Sequence, residues 1–591
     1  MDSSSPNIRT GYRLKFYDAL PLTTAGLILV LYALAYSKAM EHIVFFIAFY
    51  TAYLMIRAIK SKWRPAADTV TDVAAFVIIS VTVSLLIKDH VVKWWDDVNF
   101  WATDAKGLYY LSGFTGKYGN VAPEFGDYPP AIQIAKWCAL KFSLNEYREG
   151  YAFVGYSLMN MIFLLPLMRV ADKVTAGLNR VLSAALRIVW MTVIMLIPGI
   201  VNDVWSYGAC ADVTMGIVYG AMLMAIYEVI CGDNDRPEFI PYLKVALYGC
   251  VTALCKNTGF MWVTFAMILF IVLTIRMKRP FKNTLLTALC IYLIQGSWWA
   301  NCLINRRIAK LTGALARTAT GGMSMPEDAS DKLRYYLLGF IKEPMHTAHT
   351  PVLDISALAM FIILTAVGVV TILSGKRDGS GLGRTPAHKI MIVYTVLSGM
   401  AIYVIVLMSH MSIFATETQY GSSEVMAISI SRYGAPFTIG TLMLLLCVMF
   451  DGMKTDRRVI ISFAAAVLLI ILTTDYPAYG YMLRGYMADR DADLKARADM
   501  IDQEGQMYID YLNSLSKDEY DEIKGHRVLF MRDGSRIHWV NDTYINYAVA
   551  PIATVYASYE ADMSEEDVAN IVKTSHADYI YYAGEKISPA Y

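Results

Sequence analysis

The feature that most constrains this chain is a recurrence. Apolar blocks of about twenty residues, parted by short polar stretches, run through residues 1–473. A helix of ~20 apolar residues crosses the hydrocarbon of a bilayer, and within that hydrocarbon only helices and closed barrels satisfy their own backbone. Composition agrees: 17% of residues are charged, where a soluble globular chain carries about 25%. The expected class is a polytopic α-helical membrane protein. Thirteen spans are expected, near 20–37, 43–59, 71–88, 150–168, 182–199, 213–230, 241–256, 260–276, 283–302, 353–374, 390–410, 434–450 and 459–473. The apolar segment 129–143 is short, begins with Pro129 and Pro130 and is broken by Lys136, so it reads as an interfacial or re-entrant helix.

Lys and Arg in short loops mark the cytoplasmic side. Clusters such as Arg57, Lys60, Lys62 and Arg64, or Arg276, Lys278, Arg279 and Lys282, fall on the side of the N-terminus. The short connections on the other side hold only Lys38, Lys256 and Arg432. This predicts an N-terminus inside, with the large loops 89–149 and 303–352 and the tail 474–591 outside. The polar stretch with Arg9, Arg13 and Lys15 is followed by no clean cleavage site, so the first span is expected to serve as its own insertion signal.

A net charge of +1 carries no nucleic-acid footprint. The eight cysteines lie in or beside apolar blocks, without a C-x-x-C pair, and read as small buried hydrophobes. From about residue 474 the chain turns polar. Charge-rich helical stretches alternate with β-rich runs at 527–531, 548–557 and 578–583, which predicts a small extracytoplasmic α/β domain over 474–591. Asn541-Asp542-Thr543 fits the N-glycosylation tripeptide, a pattern common by chance.

The candidate chemistry gathers in the first large loop. Asp96 and Asp97 follow the third expected span, amid Trp94, Trp95, Phe100, Trp101, Tyr109 and Tyr110. An aspartate there can take a proton from an attacking hydroxyl or hold it in line; the bland alternative is a solvated loop start beside Lys93. The aromatics suit an interfacial belt or stacking on sugar rings. Asp127-Tyr128-Pro129-Pro130 is a turn whose prolines suit a helix start, where Asp127 either caps the helix or joins the same cavity as Asp96.

These stretches resemble the GT-C superfamily of integral-membrane glycosyltransferases. The Gly-Asp-Tyr-Pro-Pro turn is similar to that of the dolichol-pathway glucosyltransferases. The Asp96-Asp97-x-x-x-Trp101-x-x-x-Ala105-Lys106 arrangement resembles the loop start of the protein mannosyltransferase and aminoarabinose transferase types. Trp205-Ser-Tyr-Gly-Ala-Cys-Ala-Asp212 is similar to a W-G-Q-x-D element, and Arg432-Tyr433 followed by Pro436 to an R-Y-x-x-P lead-in to a late span. Asp97 stands where many relatives have Glu, and Ala211 directly precedes Asp212.

The resemblance implies a GT-C-like fold and a sugar donor linked to a polyprenyl phosphate. Transfer would take place on the extracytoplasmic face of the plasma (inner) membrane, to a hydroxyl of a glycan, lipid or protein, with inversion. It implies Asp96 as base, with Asp97 as a second base or a positioning group. Asp127, Tyr128 and Asp212 would bind substrate. A phosphate leaving group calls for cations, and Lys256, Arg306, Arg307 and Arg432 are the candidates. Lys256 can equally anchor a tight turn, and Arg306 and Arg307 can snorkel at a helix end. His346 and His349 make a weak metal pair; some relatives use a divalent metal and others none, so no metal is assigned. The rival readings are a transporter or flippase of a lipid-linked sugar, a polysaccharide polymerase or ligase, and a non-enzymatic scaffold. Transporters favour repeats and midplane charges; here no internal repeat is visible, and most of the acids singled out lie at one face.

Overall fold

The computed structural model describes residues 14–60, 66–93, 95–119, 126–143, 146–201, 211–231, 239–307, 326–346, 351–374, 386–415, 417–451, 453, 457–476, 490–560, 563–582 and 587–590. Trp94, His349 and residues 205–210 of the Trp205–Asp212 element lie outside them.

Each of the thirteen apolar segments contains a helix. In chain order the helices of the first 473 residues are α1 (Phe16–Ala35), α2 (Ile43–Lys60), α3 (Ala67–Ile87), α4 (Ala102–Leu111), α5 (Ala131–Leu140), α6 (Gly150–Leu164), α7 (Met168–Thr175), α8 (Arg180–Ile194), α9 (Ala211–Cys231), α10 (Phe239–Ala253), α11 (Gly259–Arg276), α12 (Phe281–Ile304), α13 (Ala329–Ile341), α14 (Ala357–Ser374), α15 (Pro386–Ser412), α16 (Ser423–Asp451) and α17 (Arg457–Thr473). Among the described residues, seven helices are long and apolar enough to cross a membrane: α1, α3, α6 run on through α7, α9, α11, α15 and α16. Length and apolarity therefore establish an integral membrane protein with seven such helices, and leave the expected thirteen crossings to proposal. Large apolar side chains on α2 (Phe45, Phe46 and Phe49) and α15 (Val393, Leu397 and Val404) face outward, as lipid-facing positions do.

The bundle is built around α9, which is buried along nearly its whole length and packs along α16. Small residues permit that approach: a Cβ on Gly216 would lie 2.9 Å from the Cα of Pro436. Each end of α9 carries an acid. At its C-terminal end, Glu228 and Asp18 share Arg169 and Lys244, with Lys244 Nζ 2.6 Å from Asp18 and 2.9 Å from Glu228. Two acids and two cations thus meet in a buried, neutral cluster, the form in which buried charge is tolerated. At the N-terminal end stands Asp212. At 1.5 Å per residue the two acids lie about 24 Å apart along the axis, close to a membrane's apolar thickness.

The segment 129–143 forms the ten-residue α5, whose Ala131, Ile132, Gln133, Ile134, Lys136 and Trp137 are all buried. Burial within the protein, rather than at a lipid interface alone, is what accommodates Lys136, whose ammonium donates to the Trp101 carbonyl at 3.1 Å.

The C-terminal part adds helices α18 (Arg490–Ala498), α19 (Gln503–Ser514), α20 (Lys517–Ile523), α21 (Trp539–Val549) and α22 (Glu565–Ser575). Its strands are β1 (Arg527–Arg532), β2 (Ala553–Ser558), β3 (Tyr579–Tyr582) and β4 (Ser588–Pro589). The sheet order is β2-β1-β3-β4; β1 pairs in parallel with β2 and β3, and β4 is antiparallel to β3. Val528, Phe530, Tyr508, Ile545 and Tyr581 form a core of its own. The run expected as a strand over 548–557 divides differently. Its first residues finish α21, Pro551 breaks the chain, and pairing begins at Ala553.

This α/β unit is clamped to the first loop. Lys106 donates to the carbonyls of Tyr547 and Ala548, both at 2.8 Å, and Arg497 lies 2.6 Å from Glu149. Burial lowers the Lys106 pKa to about 8.

Candidate active site

Asp96 immediately precedes a π-helical turn, Asp97–Trp101, that feeds α4. Such turns are rare and occur often at functional sites. The turn sorts its side chains. Trp95, Asp96, Asn99 and Phe100 face a cavity of about 1360 Å³, whereas Asp97, Val98 and Trp101 are fully buried in the core. The adjacent carboxylates are thus divided: Asp96 faces the cavity and Asp97 does not line it.

Two further elements bring charge to the same cavity. Asp212 sits in the first turn of α9, where the helix dipole favours an acid. Lys256 occupies the tight turn between α10 and α11. Gly259 lets that turn close, since a Cβ there would lie 2.3 Å from the Thr252 carbonyl oxygen. Lys256 Nζ donates to both oxygens of Asp212, at 2.7 and 2.9 Å. Arg432 comes from α16, four residues before Pro436, which has no amide hydrogen to give back to the Arg432 carbonyl. Its guanidinium donates to Asp96 through Nη2 at 2.5 Å and to Asp212 through Nε at 3.2 Å. The result is a chain of alternating charge: Asp96, Arg432, Asp212, Lys256. The two halves of the chain differ in access. The Asp96 and Arg432 side chains are 19% and 22% exposed, while those of Asp212 and Lys256 are 3% and 4% exposed.

Tyr128, from the Tyr-Pro-Pro turn, also lines the cavity and stacks on Trp101 with ring centroids 4.9 Å apart. Burial, with Asp96 nearby, holds its hydroxyl well above the usual tyrosine pKa. Asp127 does not line the cavity; its carbonyl accepts from Trp298 Nε1 at 2.8 Å. Arg306 and Arg307 also lie away from it. Arg306 donates to the Tyr118 hydroxyl at 3.3 Å, and Arg307 holds Thr115 at 2.7 Å. Arg307 borders instead a separate pocket of about 20 Å³ with Asp104 and Gln133, where burial raises the Asp104 pKa to about 6.

The rest of the wall is of two kinds. Phe260, Met261 and Trp262 of α11 and Ile402, Ile405 and Val406 of α15 make an apolar side. Trp539, Asp542, Asn546 and Tyr556 of the α/β unit make a polar and aromatic roof. Reading the sequence for acids and cations missed this roof. Its signal was present as Trp539-x-x-Asp542-x-x-x-Asn546, one face of a helix at i, i+3 and i+7. The Asn541 amide is engaged on both sides, donating to Asp502 Oδ2 at 2.7 Å and accepting from the Asp502 amide at 3.2 Å. This disfavours it as a glycosylation acceptor.

Among the described residues no three His, Cys, Asp or Glu side chains gather as a metal set. The Asp96 and Asp212 carboxylates are engaged by Arg432 and Lys256. His346 is occupied too: Nδ1 lies 3.0 Å from Asp354 Oδ1 and Nε2 3.1 Å from the Gly199 carbonyl oxygen. Burial opposes its charge, but Asp354, the Gly199 carbonyl and Asp475 together raise its pKa above the ordinary histidine value. Both ring partners are acceptors, which suits an imidazolium. A raised folded-state pKa contributes stability that is full below the unfolded value of ~6.5 and is lost as pH rises through the folded value. Wild-type protein in detergent should therefore melt at a higher temperature at pH 6 than at pH 8.5. His346→Gln should remove most of that difference, at a cost of about 1–3 kcal/mol on the acid side; an unchanged pH profile in the variant would refute the assignment.

Fold and cavity together define an integral membrane protein whose helical bundle carries a charged, partly apolar cavity beneath a small α/β unit. No protein-family model matches the chain, and no curated protein matches it either. Among solved structures it is similar to the Archaeoglobus fulgidus oligosaccharyltransferase, crystallised with Zn and sulfate. The identity is 12% and the TM-score 0.39, over 86% of this chain and 67% of the other.

Proposed function

We propose that the chain is a membrane glycosyltransferase that moves a sugar from a polyprenyl-phosphate donor to a hydroxyl of an extracytoplasmic glycan, lipid or protein. The observation that carries this reading is the meeting, in one cavity, of an accessible carboxylate, two cations and an apolar wall. A lipid-linked sugar phosphate needs all three. The apolar side formed by α11 and α15 takes the lipid chain. Arg432 and Lys256 take the phosphate, as charge-assisted donors do. The loop-side distribution of Lys and Arg supports an outward-facing cavity.

Arg432 is shared between Asp96 and Asp212, and an arriving phosphate competes for it. As the guanidinium turns toward phosphate, Asp96 becomes available as a base. The acceptor oxygen then attacks C1 of the sugar and its proton passes to Asp96. The bond from C1 to the phosphate oxygen breaks, and its electron pair leaves with the phosphate, beside Arg432 and Lys256. Attack opposite the leaving group inverts the anomeric centre. Asp97, Asp127, Arg306 and Arg307 act in this reading by shaping the loop and not by touching substrate.

The test is purified full-length protein in proteoliposomes, given radiolabelled polyprenyl-phosphate sugars and a panel of hydroxyl-bearing acceptors. A glycosidic product with inverted configuration is expected. Movement of label across the sealed vesicle without a new glycosidic bond would favour the transporter reading and overturn this one.

A further inference from the structure

The α/β unit presents one helix face to the cavity that the steps above do not use. In α21, Trp539, Asp542 and Asn546 follow one another at i, i+3 and i+7 and all line the cavity. We propose that this face is the binding subsite for a sugar ring of the acceptor, held beside Asp96 by Trp95. The proposal rests on the glycosyl-transfer reading and names the acceptor's chemistry within it.

Three observations carry it. First, Trp539 is 63% exposed, although its neighbour three residues on is largely buried. A large indole left open in a cavity is a contact surface awaiting a partner, and a Trp face suits the C–H side of a pyranose. Second, α21 offers both polarities of hydrogen bond. The Asn546 carbonyl oxygen accepts from the Tyr556 hydroxyl at 2.8 Å, and among the described residues its amide NH₂ has no protein acceptor. Asp542 lines the cavity and is ion-paired to Arg532, whose Nη2 lies 3.4 Å from its buried Oδ1 without completing a hydrogen bond. An amide donor and a carboxylate acceptor about one turn apart suit neighbouring sugar hydroxyls, each of which donates and accepts. Third, the face adjoins the chemistry. Trp95, next to Asp96 in sequence, meets Trp539 edge-to-face with centroids 4.6 Å apart and planes at 83°. A ring resting on Trp539 therefore lies next to the carboxylate that takes the proton.

Arg532 is a positioning residue for this face. It is fully buried, lies 3.2 Å from Asp502 and 3.4 Å from Asp542, and donates to the Arg536 carbonyl. Asp502 in turn caps α19 through Gly505 at 2.7 Å. The carboxylate of Asp542 is thus fixed by the fold of the α/β unit itself.

The experiment is saturation-transfer NMR on the full-length protein in detergent. The probes are methyl disaccharides of mannose, glucose, galactose and arabinose, with a Ser/Thr-containing peptide as the comparison. At least one disaccharide is expected to receive saturation from wild type and from Asp96→Asn. The signal should fall at least tenfold in Trp539→Ala and in Asn546→Ala, with melting temperatures unchanged, and return in part with Trp539→Phe. Equal signal in the two alanine variants, no saccharide signal with wild type, or signal from the peptide alone would overturn the subsite. Transfer assays separate the two proposals. If Trp539→Ala turns over with unchanged acceptor dependence, the subsite fails and the glycosyltransferase reading stands. If wild type binds disaccharide through α21 yet forms no glycosidic bond, the subsite stands and the glycosyltransferase reading fails.

Discussion

Asp96→Asn is expected to lower the turnover of lipid-linked sugar by about 10²–10⁴-fold, the range that a positioned general base contributes. Asn keeps the size of the side chain and can still lie near Arg432, so donor binding and melting temperature should change little. Asp97→Asn is the contrasting variant. Its side chain is wholly buried and does not line the cavity, so its effect should fall on yield and melting temperature, leaving turnover per folded molecule within a few-fold. The measurement is single-turnover transfer at saturating donor, normalised to folded protein. Full activity in Asp96→Asn would remove it from the chemistry. A larger loss of turnover in Asp97→Asn than in Asp96→Asn would reverse the assignment.

That contrast also marks where the sequence stops being legible. Apolar blocks predict helices because a bilayer leaves the backbone few alternatives, and every predicted block is helical. The Tyr-Pro-Pro turn was readable because prolines suit a helix start, whereas Arg432-Tyr433-x-x-Pro436, read as the lead-in to a span, lies inside α16, which begins nine residues before Arg432. Which of two adjacent acids faces a cavity was not readable, since it depends on a π-helical turn that no periodicity announces. Arg306 and Arg307 share with Arg432 a charge and an expected place at the outer boundary, and only the R-Y-x-x-P context sets Arg432 apart in the sequence. Only packing sends Arg432 across to Asp96, 336 residues away in sequence, and Arg307 to Thr115. The roof formed by Trp539, Asp542 and Asn546 was hidden for a different reason. Residues 548–557 carry a strand-like pattern whose first two residues belong to α21, so the pattern does not mark where that helix lies.

Asp212→Asn should be the most destabilising substitution in the cavity. Asp212 is the one acid that both cations share: Lys256 holds both of its oxygens and Arg432 holds one. Its removal strands the ammonium of Lys256, only 4% exposed, and breaking a buried ion pair from one side costs about 3–5 kcal/mol. Arg432 suffers less because Asp96 remains to it. The expected result is a fall of several degrees in melting temperature and a lower yield, together with loss of transfer. A second variant separates structure from chemistry. In Asp212→Leu/Lys256→Met both charges are gone, and a buried pair replaced by apolar groups of similar size is often neutral or stabilising. That double variant should recover most of the lost stability yet remain at least tenfold impaired in transfer, because the phosphate has lost one of its two cations. Recovery of both stability and activity would reduce Lys256 to the anchor of a tight turn. An undiminished melting temperature in Asp212→Asn would mean that the alternating charges do not hold the site together.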